Sequence, residues 1–408
     1  MRVLHVIDKM EPARGGVCQA VRSMIKGLEL HNVHSEVVCL DSPGEKFLEK
    51  DPYVTHALGP AENPWTYSPK LKPWFVSNLN SFDIVIVHGL WQYPGYAVHQ
   101  AVKKSLYNAG NKKNQVPKIF VMPHGMLDPY FQKAPERKLK ALRNIVYWKL
   151  IEKKVVNTAD GLLFTCEEEA KLAQIPFTPY RPKKECIVGL GVEDPPVFDD
   201  AMKRAFLHTC PQIQNSPYLL FLSRIHEKKG VDLLLNAYSK FIKELQENIL
   251  SLSEKPIEVP KLAVAGPGLD TPYGQRIQKQ VSDDVVLKNN VVFTGMLSGD
   301  AKWGAFYCCD AFILPSHQEN FGIAIVEALA CKKPVLISNR VNIYKEIISN
   351  NGGIVKEDTL KGTYELMMQW MKMDSSEQII MGITARNVYE NIFAVKTAAD
   401  TLIKAISE

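Results

Sequence analysis

Residues 311–331 read AFILPSHQENFGIAIVEALAC. A β-rich apolar run leads into a polar loop, His317, Gln318, Glu319, Asn320, Phe321, Gly322, and a helix then begins at Ile323 and carries Glu327. A short apolar run of this composition is a buried strand, and a strand followed by a helix is one half of a βαβ unit.

The same alternation extends in both directions. Upstream are YLLFLS, LAVAGPG and VVFTG, and downstream is PVLIS, each followed by a helical or loop segment. Further toward the N-terminus lie VLHVI, SEVVCL, DIVIVHG, KIFVM and GLLFTC, again separated by helical patterns. Strands separated by helices predict parallel sheets, and the pattern breaks at Pro176 to Pro196, which is rich in proline and turn residues. The expectation is therefore an α/β chain of two doubly wound, Rossmann-like parallel-sheet domains facing a cleft. Its expected parts are 1–192, 193–390 and a C-terminal helix 391–408 that returns toward the first domain. In the second part, Val231, Leu234, Leu235, Tyr238, Phe241, Ile242 and Leu245 share one helix face, and Glu247 to Lys261, with two prolines and no stable period, reads as a surface insertion.

With 408 residues the chain exceeds one ordinary core, and 46% hydrophobic with 23% charged residues is a globular composition. The eight cysteines lack the C-x-x-C spacing of zinc or redox sites and are expected to be reduced thiols. The opening MRVLHVIDKM goes straight into a strand-like run, and no apolar stretch reaches about 18 residues. A cytoplasmic location is expected, with the inner face of the membrane as its alternative. A net charge of +5 is too dispersed for a nucleic-acid footprint, yet suits phosphorylated ligands. The most basic segment, Gln132 to Lys154, carries Leu139, Leu142, Ile145, Val146, Leu150 and Ile151 at helical spacing. It reads as a solvated helix face, with weak peripheral membrane contact the second reading.

In open α/β sheets ligands bind beyond the carboxyl ends of the strands, which makes the loops after each run the candidates. Glu319 and Glu327 are eight positions apart, one in a loop and one in the following helix. Carboxylates there would accept hydrogen bonds from the hydroxyls of a sugar and a ribose, and the helix N-terminus suits phosphate. A Glu between Val326 and Ala328 needs a partner if it is buried. After YLLFLS come Arg224 and Lys229, a guanidinium and an ammonium that would stabilise the growing charge of a diphosphate leaving group. They would replace a metal, and no Asp-x-Asp pair is present among these loops. Taken alone, this basic loop reads as solvated. Gly15 and Gly16 precede a helix without matching G-x-G-x-x-G, which counts against a nicotinamide enzyme. His124, after KIFVM, ends a strand and could bond a sugar hydroxyl or the reacting centre; a lone histidine is otherwise structural.

Together these segments resemble the glycosyltransferase family 4 members of the GT-B fold, over nearly the whole chain. The family's E-x7-E signature is similar to Glu319 and Glu327, and its Arg and Lys, five apart, to Arg224 and Lys229, with Lys228 an alternative to the latter. PHGMLDPY and ADGLLFTCEEEA resemble a bacterial and cyanobacterial subset that builds surface polysaccharides.

The resemblance implies a retaining hexosyltransferase without a metal or other cofactor, working by a front-face route or, as its rival, through a covalent carboxylate intermediate. It implies that Glu327 binds the ribose, and that Glu319, with Asn320, Phe321, Gly322 and Ile323, holds the donor sugar. Arg224 and Lys229 would grip the pyrophosphate, His124 the sugar, Gly15 and Gly16 the donor, and Gly295 and Met296 the base. His88, Trp91 and Tyr93 would meet the acceptor, a glycan or polyprenyl-linked saccharide. The expected donor is a nucleotide sugar, UDP-glucose or a relative. The alternatives are a GDP-mannose-dependent mannosyltransferase, a nucleotide-sugar 2-epimerase on the same fold, and a catalytically silent binding module. Leu190, Gly191, Val192 and Glu193 stand where the family has Asn-Gly-Val-Asp.

Overall fold

The structure, a computed structural model, describes the chain apart from residues 13–14, 110–115, 135–136, 215 and 253–257, and describes only the backbone of 108–109 and 247–252. The chain forms two compact units, Met1–Glu193 with Val395–Glu408, and Asp194–Ala394.

Among the described residues the first unit has a seven-stranded parallel sheet. Its strands are β1 (Arg2–Val6), β2 (His34–Cys39), β3 (Val54–Ala57), β4 (Ile84–His88), β5 (Lys118–Met122), β6 (Gly161–Phe164) and β7 (Glu185–Ile187), in the order β3-β2-β1-β4-β5-β6-β7. The chain starts in the middle, winds to one edge, then returns past β1 to build the other half, so the winding reverses between β1 and β4. β4 is buried at every position, as expected of an apolar strand covered by helices on both faces. The register sets His5 beside Ile86 and His88 beside Met122. The last helix, Val395–Ser407, packs on the helix Gly16–Glu29, where a Cβ on Gly27 would stand 2.8 Å from that of Ala399. Gly191 meets the same helix, its would-be Cβ 2.7 Å from the Val395 Cα. A close backbone approach thus accounts for this glycine.

The second unit repeats the winding with β8 (Tyr218–Leu222), β9 (Lys261–Ala265), β10 (Val291–Gly295), β11 (Ala311–Leu314), β12 (Val335–Ser338) and β13 (Gly353–Lys356), in the order β10-β9-β8-β11-β12-β13. Its switch point falls between β8 and β11. Val231, Leu234, Leu235, Tyr238, Phe241, Ile242 and Leu245 form the buried face of the helix Val231–Leu252.

Two expectations are corrected. The helix Val231–Leu252 continues through the first six residues of the supposed insertion, where the sequence prolongs a four-and-three spacing of apolar residues at 245, 249 and 252; part of the remainder, 253–257, lies outside the described residues. The edge strands β3, β7 and β13 did not register as apolar runs, since each is only three or four residues long and partly exposed. In the basic segment, whose residues 135–136 are not described, the helix Lys138–Tyr147 and the π-helical turn Trp148–Glu152 bury Ala141, Asn144, Trp148 and Glu152 instead of the apolar stripe. Trp148 takes the core position by stacking on Phe177 at 4.9 Å, which turns Leu139, Leu142, Ile145, Val146 and Leu150 to solvent. No helix among the described residues is long and apolar enough to cross a membrane.

Candidate functional site

The loop after β8 is held by its neighbours. Ser223 N–H donates to the Ala265 carbonyl at 3.0 Å and Ile225 N–H to the Pro267 carbonyl at 2.8 Å, so the backbone around Arg224 leans on the end of β9. Gly230, at φ +67°, lies directly against the loop after β11, where a Cβ would sit 2.3 Å from the Pro315 carbonyl oxygen. Only glycine accepts both the left-handed backbone and that contact. The Lys228 carbonyl then accepts from His317 N–H and Ser316 Oγ, each at 2.9 Å, which joins the two loops.

This joint brings Lys229 and Glu319 together. Lys229 Nζ donates to Glu319 Oε2, and both side chains are largely buried. Glu319 is clamped on its other side as well: its N–H donates to the Arg340 carbonyl at 3.0 Å and its carbonyl accepts from Asn342 N–H at 2.9 Å. Asn342 Nδ2 also donates to Asn320 Oδ1 at 3.2 Å. Gly322, at φ +79°, caps the helix Ile323–Ala330, and a Cβ there would press on Ile325 and on Glu319 Cγ. Phe321 is buried edge-to-face on Phe393 at 5.6 Å, which anchors the loop. Burial raises the Glu319 carboxyl, but the charges of Lys229 and Lys228, the Lys229 hydrogen bond and Arg224 outweigh it and hold the group below the usual carboxylate range. Arg224 itself is exposed and makes no hydrogen bond or ion pair among the described residues.

Glu327 has the partner its apolar surroundings demanded. Lys302, on the helix Gly299–Cys308, donates from Nζ to Glu327 Oε1 at 2.6 Å and lies 4.5 Å over the Trp303 ring. Burial nonetheless outweighs this attraction, and the Glu327 carboxyl stands above its ordinary value. Lys302 is a residue sequence reasoning missed; a buried Glu signals that a cation exists without saying which. Each carboxylate therefore spends one oxygen on a lysine. The other oxygen, Oε1 of Glu319 and Oε2 of Glu327, makes no hydrogen bond among the described residues. The five groups thus form two lysine–carboxylate pairs plus an exposed arginine, with spare acceptor capacity on both carboxylates.

At the end of β10, Gly295 adopts φ +71° and Met296 is 76% exposed. The Gly295 carbonyl already accepts from Gly266 N–H at 2.8 Å, so less of its backbone is available to a ligand than the sequence suggested.

In the first unit, Gly15 (φ +89°) caps the helix Gly16–Glu29 with open space around its would-be Cβ; Ala13 and Arg14 of the same loop lie outside the described residues. His124, half-buried at φ +51°, is joined to His88, and His88 to His5, by hydrogen bonds of 3.0 Å each. Burial lowers all three, His5 to about 3, His124 to about 4 and His88 well below the usual imidazole value. Two of the expected acceptor residues are buried. His88 is buried with both ring nitrogens engaged, and Tyr93 packs against Trp65 and Tyr67 in the core, so neither offers a stacking face. Trp91 (φ +70°) is half-buried, its N–H donating to the buried Glu152 at 3.3 Å. Among the described residues no group of three or more His, Cys, Asp or Glu side chains is placed to hold a metal ion.

Residues 210–387 match the family model for glycosyl transferases group 1. That span contains Arg224, Lys229, Lys302, Glu319 and Glu327 and most of the second unit. A probable sucrose-phosphate synthase of Thermosipho melanesiensis is 30% identical over 132 residues, which is 32% of this chain and 28% of that protein, so the chain spans just over a quarter of that relative's length. Among solved structures, a glycosyltransferase from Rickettsia africae has a TM-score of 0.75 at 16% identity, covering 100% of this chain and 97% of that one. Anabaena HepE in complex with UDP and glucose has a TM-score of 0.70 at 15% identity, covering 100% and 99%. At such identities the likeness is one of fold, and the fold is GT-B: two parallel-sheet α/β units of seven and six strands.

Proposed function

We propose that this chain is a retaining glycosyltransferase that moves a hexose from a nucleotide sugar, with UDP-glucose the foremost donor, to a glycan or lipid-linked saccharide. The observation that carries the reading is the pair of half-used carboxylates beside lysines, next to Arg224, at the strand ends where α/β sheets bind ligands. Arg224, Lys228 and Lys229 surround one carboxylate, Glu319, leaving positive charge in excess at a place suited to a diphosphate. The match of this unit to glycosyl transferases group 1 and the presence of UDP and glucose in Anabaena HepE support the donor class.

In this reading Arg224 and Lys229 act most strongly once the bond from sugar to diphosphate begins to break, because the negative charge on the leaving group grows in that step. Glu319 Oε1 and Glu327 Oε2 accept hydroxyls, the first from the donor sugar and the second from the ribose. Asn320, Gly322 and Ile323 form the sugar's backbone surround, and Gly15 and Gly16 meet the donor. His124 is assigned to the transferred sugar on the family resemblance. Charge neutralisation by side chains makes a divalent cation unnecessary. A lipid-linked acceptor would bring a membrane surface near, and Leu139, Leu142 and Leu150, exposed among Lys140, Arg143 and Lys149, would meet it. A cytoplasmic setting fits both the donor and eight free cysteines.

The test is a thermal-shift series with UDP, GDP and their sugars, followed by NMR of the product linkage. A ligand at a hundred times its Kd stabilises the folded state by about 2.7 kcal/mol, a readily measured shift. UDP is expected to raise the melting temperature more than GDP, and the new linkage to keep the donor's anomeric configuration. No shift with any nucleotide, or an inverted linkage, would defeat the proposal.

A further inference from the structure

His5, His88 and His124 come from three neighbouring strands, β1, β4 and the end of β5, and their rings stack in steps of 5.3 Å from the centre of the sheet outward. The first link joins His5 Nδ1 to His88 Nε2, and the second joins His88 Nδ1 to His124 Nε2. Every link uses a δ nitrogen on the inner ring and an ε nitrogen on the outer one. A neutral imidazole carries one N–H, and each link needs one proton. The chain therefore has only two self-consistent states, all three protons on Nδ1 or all three on Nε2, since any mixture leaves a link with two protons or none.

The inner end decides between them. His5 is fully buried, and its Nε2 has no hydrogen-bond partner among the described residues. In the all-ε state that nitrogen would be an orphaned N–H, the rarer and costlier defect in protein interiors; in the all-δ state it is a bare lone pair. We infer that the three histidines share the Nδ1–H tautomer, and that His5 and His88 are positioning residues which make His124 an obligate hydrogen-bond donor through Nδ1.

Two consequences follow for His124. Its Nε2 lone pair is taken by His88 and its Nδ1 already carries a proton, so it cannot serve as a general base. The chain also ends in the core without an exit, so it conducts no proton. His124 is a neutral donor for an electron-rich oxygen, such as a sugar hydroxyl oxygen or a phosphate oxygen. That last step rests on the functional reading above, whereas the tautomer assignment does not.

The experiment is nitrogen-15 NMR of ring-labelled histidine in the intact protein near neutral pH, repeated in His88→Leu and His88→Asn. The wild type should show Nδ1–H and a bare Nε2 for His5, His88 and His124. His88→Leu removes the donor to His124 Nε2, so His124 should lose its uniform Nδ1–H signature and kcat should fall about tenfold with KM for the nucleotide sugar unchanged. His88→Asn, whose amide N–H stands near the place of Nδ1–H, should restore both. A proton on Nε2 of His88 or His124, or an imidazolium at neutral pH in the wild type, would overturn the inference, and this holds even if His88→Leu fails to fold. Absence of nucleotide binding with three Nδ1–H rings would instead defeat the functional proposal and leave the chain intact.

Discussion

Replacing Lys302 by Met tests the pair beneath the helix Ile323–Ala330. Methionine keeps the apolar reach along Trp303 but removes the charge from Glu327. Breaking a fully buried ion pair on one side costs about 3–5 kcal/mol. Here the Glu327 and Lys302 side chains are 13% and 24% exposed, so water reaches both and a loss of about 2 kcal/mol at pH 8 is expected. For a unit of this size that is about 4–8 °C in Tm.

The effect must depend on pH in one direction. Burial raises the Glu327 carboxyl above its unfolded value and Lys302 restrains the rise, so losing Lys302 raises it further. A carboxyl raised on folding favours the folded state when protonated, and that stability is lost as pH climbs through the unfolded and then the folded value. The deficit of Lys302→Met should therefore be large at pH 8 and shrink as the pH falls and Glu327 takes up a proton. Glu327→Gln in the Lys302→Met background should recover most of the loss at pH 8. Scanning fluorimetry without nucleotide provides the measurement. Equal deficits at pH 5 and pH 8, or no recovery with Gln, would refute the claim that an uncompensated carboxylate is the cause.

Two further outcomes follow from the same geometry. Gly230→Ala should destabilise by about 2 kcal/mol or more, because left-handed strain adds to a clash with the Pro315 carbonyl, whereas Gly15→Ala, with open space at its Cβ, should lose only about 1 kcal/mol; chemical denaturation separates the two, and equal losses would mean that the Pro315 contact is not responsible. Excess chelator should leave turnover within about twofold under the proposed function, in which side chains carry the charge stabilisation; a strict requirement for magnesium or manganese would overturn that assignment.

The interior strands were legible because both of their faces are buried, so they read as unbroken apolar runs. The edges were not, since β3 and β7 alternate or expose their side chains and carry no such run. In the candidate site, Glu319 and Glu327 stood out by spacing, and Arg224 and Lys229 by following a strand. What supports them lay beyond local reading. Lys302 reaches Glu327 across 25 positions, and the peptide from Arg340 to Asn342 clamps Glu319 through main-chain groups that no side chain advertises. The resemblance sets His88 against the acceptor, but its pairing with His5 depends on strand order, which local sequence does not carry. Trp148 likewise takes a core position that the helical spacing of the neighbouring leucines does not announce.

The contact between Lys229 and Glu319 has a bearing on discrimination among anions. The ammonium is already neutralised by Glu319, so a bare anion that draws Lys229 away takes from a largely buried carboxylate its hydrogen-bonded partner and leaves it only the charges of Lys228 and Arg224. Inorganic phosphate offers little to repay that loss. A sugar nucleotide brings phosphate for the lysine and hydroxyls for the carboxylate in one molecule, so both halves of the opened pair are satisfied at once. Under the proposed function, the ion pair would thereby act as a filter that sets the phosphate of the cell apart from phosphate attached to a sugar.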